Sequence, residues 1–271
     1  MDILRLNGLG IMKFRSCYSK EYVETRSSMK YFWLSLTLVL TTALTSYSQT
    51  ATFSGKVTDQ NTGLPIPNVA VVAVGNQTGT RVAITDAQGN YTLPMGTNNN
   101  IKLRAYRTNF IFNPLQVITV SIGAPITGPQ PWDFTGTVLP FQILLIAQEP
   151  ILLTEDNSLK ALSVDSVTFQ RDPFPLLNDN NLSSDKRTRI KLFLVDMDLY
   201  SGETLSIVTA QAIESGVLHG LPVEDLRKVP GVPWLSQLTV MLPSDLVVPG
   251  ELTVSVTARG KTSNSATIRV Q

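Results

Sequence analysis

The sequence predicts an all-β protein of two β-sandwich domains behind an N-terminal signal peptide, and three observations carry that reading. Past residue 48 no stretch of helical hydrophobic period is long enough for an amphipathic helix. Short β-rich runs recur instead, divided by Gly, Pro, Asn and Asp at intervals of roughly 8 to 12 residues, which suits sandwiches better than a parallel sheet with crossover helices. Composition then changes near residue 138. No glutamate occurs between Glu24 and Glu149, and the only acids from Thr50 to Thr137 are Asp59, Asp86 and Asp133, whereas acids are frequent afterwards.

Residues 30–48, KYFWLSLTLVLTTALTSYS, have the order of a secretory signal: one Lys, an apolar run from Tyr31 to Leu44, then small residues at Ser46 and Ser48. The run is about 15 residues, short of the about 20 that span a bilayer, so cleavage after Ser48 is preferred to a permanent anchor. Met29 immediately precedes that Lys, and residues 1–28 read as a misassigned extension rather than as a long charged n-region. The domain plan is therefore 1–28 extension, 29–48 signal peptide, 51–137 first sandwich and 138–271 second sandwich. Cys17 lies in the extension, so the exported chain would hold no cysteine, no disulfide and no lipid attachment site. Six of the 22 basic and three of the 21 acidic residues lie in the first 48, leaving 16 and 18 and a net charge of −2. Nucleic acid is an unsuitable partner for such a chain.

The clearest strand is 187–194, where Thr188, Ile190, Leu192 and Leu194 alternate with Arg187, Arg189, Lys191 and Phe193. Other runs are TFSGKV, NVAVVAV, TRVAITD, NYTLPM, IKLRAYR and LQVITVSI in the first half, then ILLTE, ALSVDSVTF, ETLSIVTAQA, SQLTVMLP, LTVSVTA and SATIRV. The join at 138–150 has no Gly or Ser and is apolar from Ile143 to Ala147. Leaving such a run in water costs about 25 cal/mol per Å², so it is expected as a buried strand that makes the two sandwiches a semi-rigid rod.

Three segments of the first half form a recognisable pattern: Gly55-Lys56-Val57-Thr58-Asp59, Gly63-Leu64-Pro65-Ile66-Pro67-Asn68-Val69 and Thr85-Asp86-Ala87-Gln88-Gly89-Asn90-Tyr91. A closing stretch from Phe112-Asn113-Pro114 to Asp133-Phe134-Thr135-Gly136 completes it. This piece resembles the carboxypeptidase regulatory-like domains, transthyretin-like (prealbumin-like) or carbohydrate-binding-like sandwiches common in bacterial exported proteins. Turn chemistry agrees: Asp86 can close an Asx turn, Gly89 supplies positive φ, and Tyr91 re-enters the sheet. The resemblance implies fold more than activity, since such domains serve as spacers, sugar-binding modules and adhesin stalks.

The second half carries Asp165-Ser166-Val167-Thr168-Phe169, Arg171-Asp172-Pro173-Phe174, Asp185-Lys186-Arg187-Thr188-Arg189, Val208-Thr209-Ala210-Gln211-Ala212, Lys228-Val229-Pro230-Gly231 and Trp234-Leu235-Ser236-Gln237-Leu238-Thr239-Val240. Leu242-Pro243 and Arg259-Gly260-Lys261-Thr262-Ser263-Asn264 follow. It resembles an uncharacterised immunoglobulin-like C-terminal domain of exported bacterial proteins, which implies architecture and compartment without an activity.

Catalytic constellations are scarce. The only histidine, His219, lies between Gly216 and Gly220 and reads as a solvated loop residue; with no second His and no mature Cys, neither a Ser-His-Asp site nor a usual zinc site assembles. Arg259-Gly260-Lys261-Thr262 lacks the first Gly of a phosphate loop, having Ser255 there, and reads as a hairpin. Ser183-Ser184-Asp185-Lys186 contains Ser-x-x-Lys but precedes a strand. Lys56 and Asp133 could be recruited to a Lys–Asn crosslink, but no Glu in that domain serves as its acid. The oxygen-rich loops at Asp59–Asn61, Asn98–Asn100 and Asn178–Asn181 lack the alternating acids of a calcium loop.

Six residues remain as candidate binding positions. Tyr91, Tyr106 and Trp132 could form a sugar platform, although Trp132 after Pro131 better suits core or interdomain packing. Arg187, Arg189 and Lys191 could grip an acidic polysaccharide, but sharing one face of a strand they are read first as a solvated, edge-protecting surface. Trp234 is read as a cap on the second core. The chain is therefore expected to be a secreted, periplasmic or cell-surface module, not an enzyme, acting as a spacer, an adhesive or a carbohydrate-binding-like protein. No catalytic, metal or cofactor site is assigned. The partner is left open between carbohydrate and another surface protein, with the membrane touched only through an uncleaved signal. The alternative is an extracellular hydrolase or an accessory subunit of one.

Overall fold

Strand β1 (Thr50–Asp59) is the spine of the first sandwich: it pairs antiparallel with β4 (Asn90–Gly96) and parallel with β9 (Phe134–Val138), and β6 (Phe110–Asn113) closes that sheet against β9. The short β8 (Pro129–Pro131) also pairs with β1. The facing sheet has the order β3-β2-β5-β7, from β3 (Gly79–Ile84), β2 (Ala70–Gly75), β5 (Asn100–Tyr106) and β7 (Ile118–Ser121). This computed structural model describes residues 50–96, 100–113, 118–121, 129–138 and 148–271. The expected signal peptide and extension, the Asn98–Asn100 loop apart from Asn100, and residues 139–147 of the expected join lie outside them.

The second sandwich has one sheet of order β10-β12-β16-β15 and another of order β14-β13-β17-β18. The first contains β10 (Ile151–Leu152), β12 (Arg189–Val195), β15 (Val223–Val229) and β16 (Val232–Met241), with β11 (Ser163–Asp165) also on β12. The second contains β13 (Val208–Glu214), β14 (Val217–Leu221), β17 (Gly250–Ala258) and β18 (Lys261–Thr262), with β19 (Ala266–Val270) also on β17. One 3₁₀ turn at Leu205–Ile207 leads into β13. No α-helix occurs among the described residues, so the fold is all-β as the spacing of strand signals predicts.

Alternation decides each core. Phe53, Val57, Leu93, Phe112 and Phe134 from one sheet meet Val69, Val71, Ala73, Ile101 and Leu103 from the other. In the second sandwich Ile190, Leu192 and Leu194 pack with Leu238 and Val240 against Ala212, Val254, Val256 and Ile268. Turn chemistry is equally local. Asp86 Oδ1 accepts from the N–H of Gln88 and Asn90 at 2.9 and 2.8 Å. Gly89 has φ +78°, and a Cβ there would lie 2.5 Å from the Val57 carbonyl oxygen, so the position needs glycine twice over.

Residues 49–271 form one compact unit. Its two sandwiches meet through a third apolar cluster, to which the first contributes Ala70 and Val72 and the second Ile151, Leu153 and Val195, with Phe193 and Trp234 packed alongside. Strand β2 is thus covered on both faces. Val71 and Ala73 enter the first core while Ala70 and Val72 enter the junction, which is why NVAVVAV is continuously apolar instead of alternating.

Candidate functional site: the junction between the sandwiches

The polar residues of β5 that point away from the first core organise this junction. Ile101, Leu103 and Ala105 face inward, so Arg104 and Tyr106 must face the second sandwich. Arg104 is 9 % exposed, and its Nη2 lies 2.6 Å from Asp196 Oδ2, just beyond the end of β12. The same guanidinium also donates to the Glu149 carbonyl and the Gln148 side chain. Tyr106 donates its hydroxyl to Asp198 Oδ2 at 2.6 Å, and Lys228 pairs with Asp198 while lying over the Tyr106 ring. Burial pushes the Asp196 carboxyl up against the pull of Arg104, and burial beside Asp198 pushes the Tyr106 phenol well above its usual range. The junction is therefore a satisfied ionic network around an apolar centre, the arrangement that lets buried charges persist.

A second contact fixes the other end of the sheet. Thr80 and Thr154 exchange two hydrogen bonds, each backbone N–H donating to the other's Oγ1 at 2.8 and 2.7 Å. Gly79, at φ +71°, lets the chains approach this closely, since a Cβ there would fall 2.0 Å from the Ser158 carbonyl oxygen. Arg81 extends the contact to Asn157 and Asp156.

The six positions singled out from sequence do not converge. Tyr91 is 4 % exposed in the first core, where its hydroxyl donates to the Trp132 carbonyl at 2.6 Å; its ring is closed to a ligand. Tyr106 belongs to the junction network. Trp132 packs against the first core and 6.3 Å from the Phe53 ring, which is the packing role preferred for it. Arg189 is held by Asp185 and Glu224, and Lys191 lies over the Phe169 ring at 4.7 Å. Arg187 reaches Asp185 at 3.9 Å. Edge protection is not their role, because β12 lies between β10 and β16 within its sheet. Those hydrogen bonds from Arg189 hold the Asp185 carboxyl well below the usual range, so Arg189 stands neutralised, while Lys191 is engaged by an aromatic ring rather than by an acid.

Two other expectations are corrected. His219 is on strand β14 and only 9 % exposed, its Nδ1 3.4 Å from Asp245 Oδ2 and its Nε2 3.6 Å from Glu214 Oε2. Gly216 belongs to the preceding turn and Gly220 to the strand itself, so their flanking signalled no loop. Trp234, near the start of β16, packs beside the junction cluster rather than capping the second core, which Leu238 and Val240 further along the strand enter. Lys56 and Asp133 are both exposed, and Asp133 accepts from the Lys56 backbone N–H, which leaves no enclosed site for a crosslink. Arg259 and Gly260 form the two-residue turn between β17 and β18, both at positive φ, as the hairpin reading requires.

The acids of the polar turns are likewise committed. Asp59 Oδ1 accepts from the N–H of Asn61 and Thr62, both at 2.9 Å, and these bonds hold its carboxyl below the usual range. Asp165 Oδ1 does the same for Val167 and Thr168 while Oδ2 accepts from Asn178. No group of three metal-binding side chains occurs among the described residues.

Open space lies beside the junction in two clefts. One, of about 540 Å³, is lined by Val74, Lys102, Arg104, Ile151 and Asn264. The other, of about 560 Å³, is lined by Asn68, Ile84, Arg107 and Thr108 of the first sandwich and Gly231, Pro233 and Trp234 of the second. Sequence reasoning missed both, since each needs two distant segments; the continuous apolar run of β2 was the one signal that its outer face is covered.

Residues 52–127 match the family model of the carboxypeptidase regulatory-like domain, from within β1 to beyond β7. The match supports a transthyretin-like or carbohydrate-binding-like β module for the first sandwich, and it does not extend to the second. No curated protein matches the chain.

Proposed function

We propose that the chain is a non-catalytic, exported or surface-exposed module in which two sandwiches, fixed to one another, act as a rigid spacer or adhesive element. The observation that carries this reading is the junction: Arg104, Tyr106 and Thr80 on one side and Asp196, Asp198 and Thr154 on the other close around an apolar cluster. Interfaces between independently moving domains are more polar and less enclosed. The match of the first sandwich to a regulatory-like β module agrees with a role in presenting surfaces rather than turning over a substrate. Export rests on the residue order at 30–48, and an immunoglobulin-like character for the second sandwich rests on its sequence pattern.

The competing reading is an extracellular hydrolase or its accessory subunit. Incubating the exported protein with peptide, ester and glycoside substrates separates the two: the module reading expects no turnover, and turnover that survives His219→Ala would overturn it. N-terminal sequencing of the exported product is expected to begin at or near Gln49, and a start upstream of residue 30 would remove the signal-peptide argument.

A further inference from the structure

The cleft lined by Arg107 and Trp234 has the chemistry of a saccharide site. Arg107 follows β5 directly, and its guanidinium is positioned twice, donating from Nη1 to the Pro67 carbonyl at 2.9 Å and lying 4.9 Å from the centre of the Phe110 ring. No carboxylate pairs with it among the described residues, unlike Arg104, Arg189 and Arg259. The lining carries that cation and no acid. Ile84, 41 % exposed, and the half-buried Trp234 add apolar surface, and Asn68 and Thr108 supply short hydrogen-bonding groups. The opposite cleft differs: Arg104 is paired with Asp196, Asn264 is spent on both backbone groups of Leu152, and the lining sets the acid Glu149 beside its remaining cation Lys102.

We propose that this junction cleft binds an acidic oligosaccharide, with Arg107 receiving a uronate carboxylate, Trp234 and Ile84 meeting the C–H face of a sugar ring, and Asn68 and Thr108 hydrogen bonding its hydroxyls. A volume of this size suits one or two sugar rings, and sites of this kind combine apolar surface with a few convergent polar groups. A held guanidinium recognises a carboxylate by charge and by paired N–H donors, whereas amide and hydroxyl side chains match neutral hydroxyls. The attraction is local. With a net charge of −2 beyond residue 48, the overall charge of the protein does not attract polyanions. Both sandwiches line the cleft, so binding requires the junction to be closed, and the inference rests on that part of the proposed function.

Isothermal titration of the full chain with trigalacturonate, neutral galactotriose and a glutamate tripeptide decides it. Trigalacturonate is expected to bind, and the other two to bind at least about tenfold more weakly, the factor a lost charge-assisted contact carries. Arg107→Gln is expected to weaken trigalacturonate binding by a similar factor. Ile84→Glu, at an exposed position that leaves the cores alone, introduces a repelling acid and is expected to do the same with an unchanged melting temperature. Binding of the neutral sugar or the peptide as tight as that of trigalacturonate, indifference to both substitutions, or no binding at all would overturn the assignment. Cleavage of the sugar during the titration would instead contradict the non-catalytic reading, so the two failures are distinguishable.

Discussion

Arg104 crosses from the first sandwich to the second: its Nη2 stands 2.6 Å from Asp196 Oδ2, with the two side chains 10 % and 16 % exposed. Removing the cation strands a buried carboxylate, which typically costs about 3 to 5 kcal/mol. Arg104→Met, which keeps much of the apolar stem, is expected to lose stability of that order at neutral pH. The cost should shrink in acid. Asp196 is already pushed up by burial, and without Arg104 its folded-state pKa rises further above its unfolded value, so the folded state binds the extra proton. The destabilisation therefore grows as pH rises through the folded-state pKa of Asp196 in the parent protein, which already lies above the ordinary aspartate value, toward the higher value in the variant, and fades below that window. Urea unfolding of both proteins across that range checks the sign; a pH-independent difference would show that Arg104 acts only through packing.

Gly79→Ala tests the close approach at the other end of the junction. Its Cβ would meet backbone of the second sandwich, the Ser158 carbonyl, at 2.0 Å. Gly63 has a similar φ of +69° with nothing within 4 Å, so Gly63→Ala isolates the conformational cost. Gly63→Ala is expected to cost about 1 kcal/mol, and Gly79→Ala to exceed it by about 1 to 3 kcal/mol. Equal losses in thermal unfolding would mean that the sandwiches are not pressed together at Gly79.

Interior strands were legible in the sequence because their alternation is complete, as in Ile190, Leu192 and Leu194. Edge strands were not. In β15 no residue is fully buried, so VEDLRKV carries no period for burial to impose, and β14 shows only His219 and Leu221 inward. The turn at Asp86 and Gly89 was readable because its chemistry is local. The junction was hidden because Arg104 and Asp196 are 92 residues apart, one on the outward face of β5 and the other just past the end of β12. For the same reason Tyr106 suggested an open platform, while the residue that covers it, Lys228, lies 122 positions away.

Glu203 gives a second pH signature. Hydrogen bonds from Arg259, Nε to Oε1 at 2.8 Å and Nη2 to Oε2 at 2.5 Å, hold its carboxyl below the ordinary 4.5. A depressed folded-state pKa means that its stabilisation is present in full above the unfolded value and is lost as pH falls through the folded one. Glu203→Gln is expected to cost roughly 1 to 3 kcal/mol at neutral pH and to show a shallower loss of stability below about pH 5. Denaturant midpoints that fall in parallel for both proteins would place the acid sensitivity elsewhere.

Chelation is expected to change nothing. The carboxylate oxygens of Asp59 and Asp86 that would meet a cation are bonded to backbone N–H groups of their own turns. A melting temperature lowered by more than a few degrees in EDTA would show that a bound metal contributes to stability.

Rigidity of the junction is the claim on which the spacer reading and the saccharide cleft both depend. It is tested most directly by the distance between spin labels on the two sandwiches, placed at Leu64→Cys and Val217→Cys with Cys17 replaced, since Leu64 and Val217 are 64 % and 58 % exposed. Double electron–electron resonance is expected to give one narrow distance distribution, broadened by Arg104→Met. A broad or multimodal distribution in the otherwise unaltered protein would show sandwiches that move independently and would contradict the account.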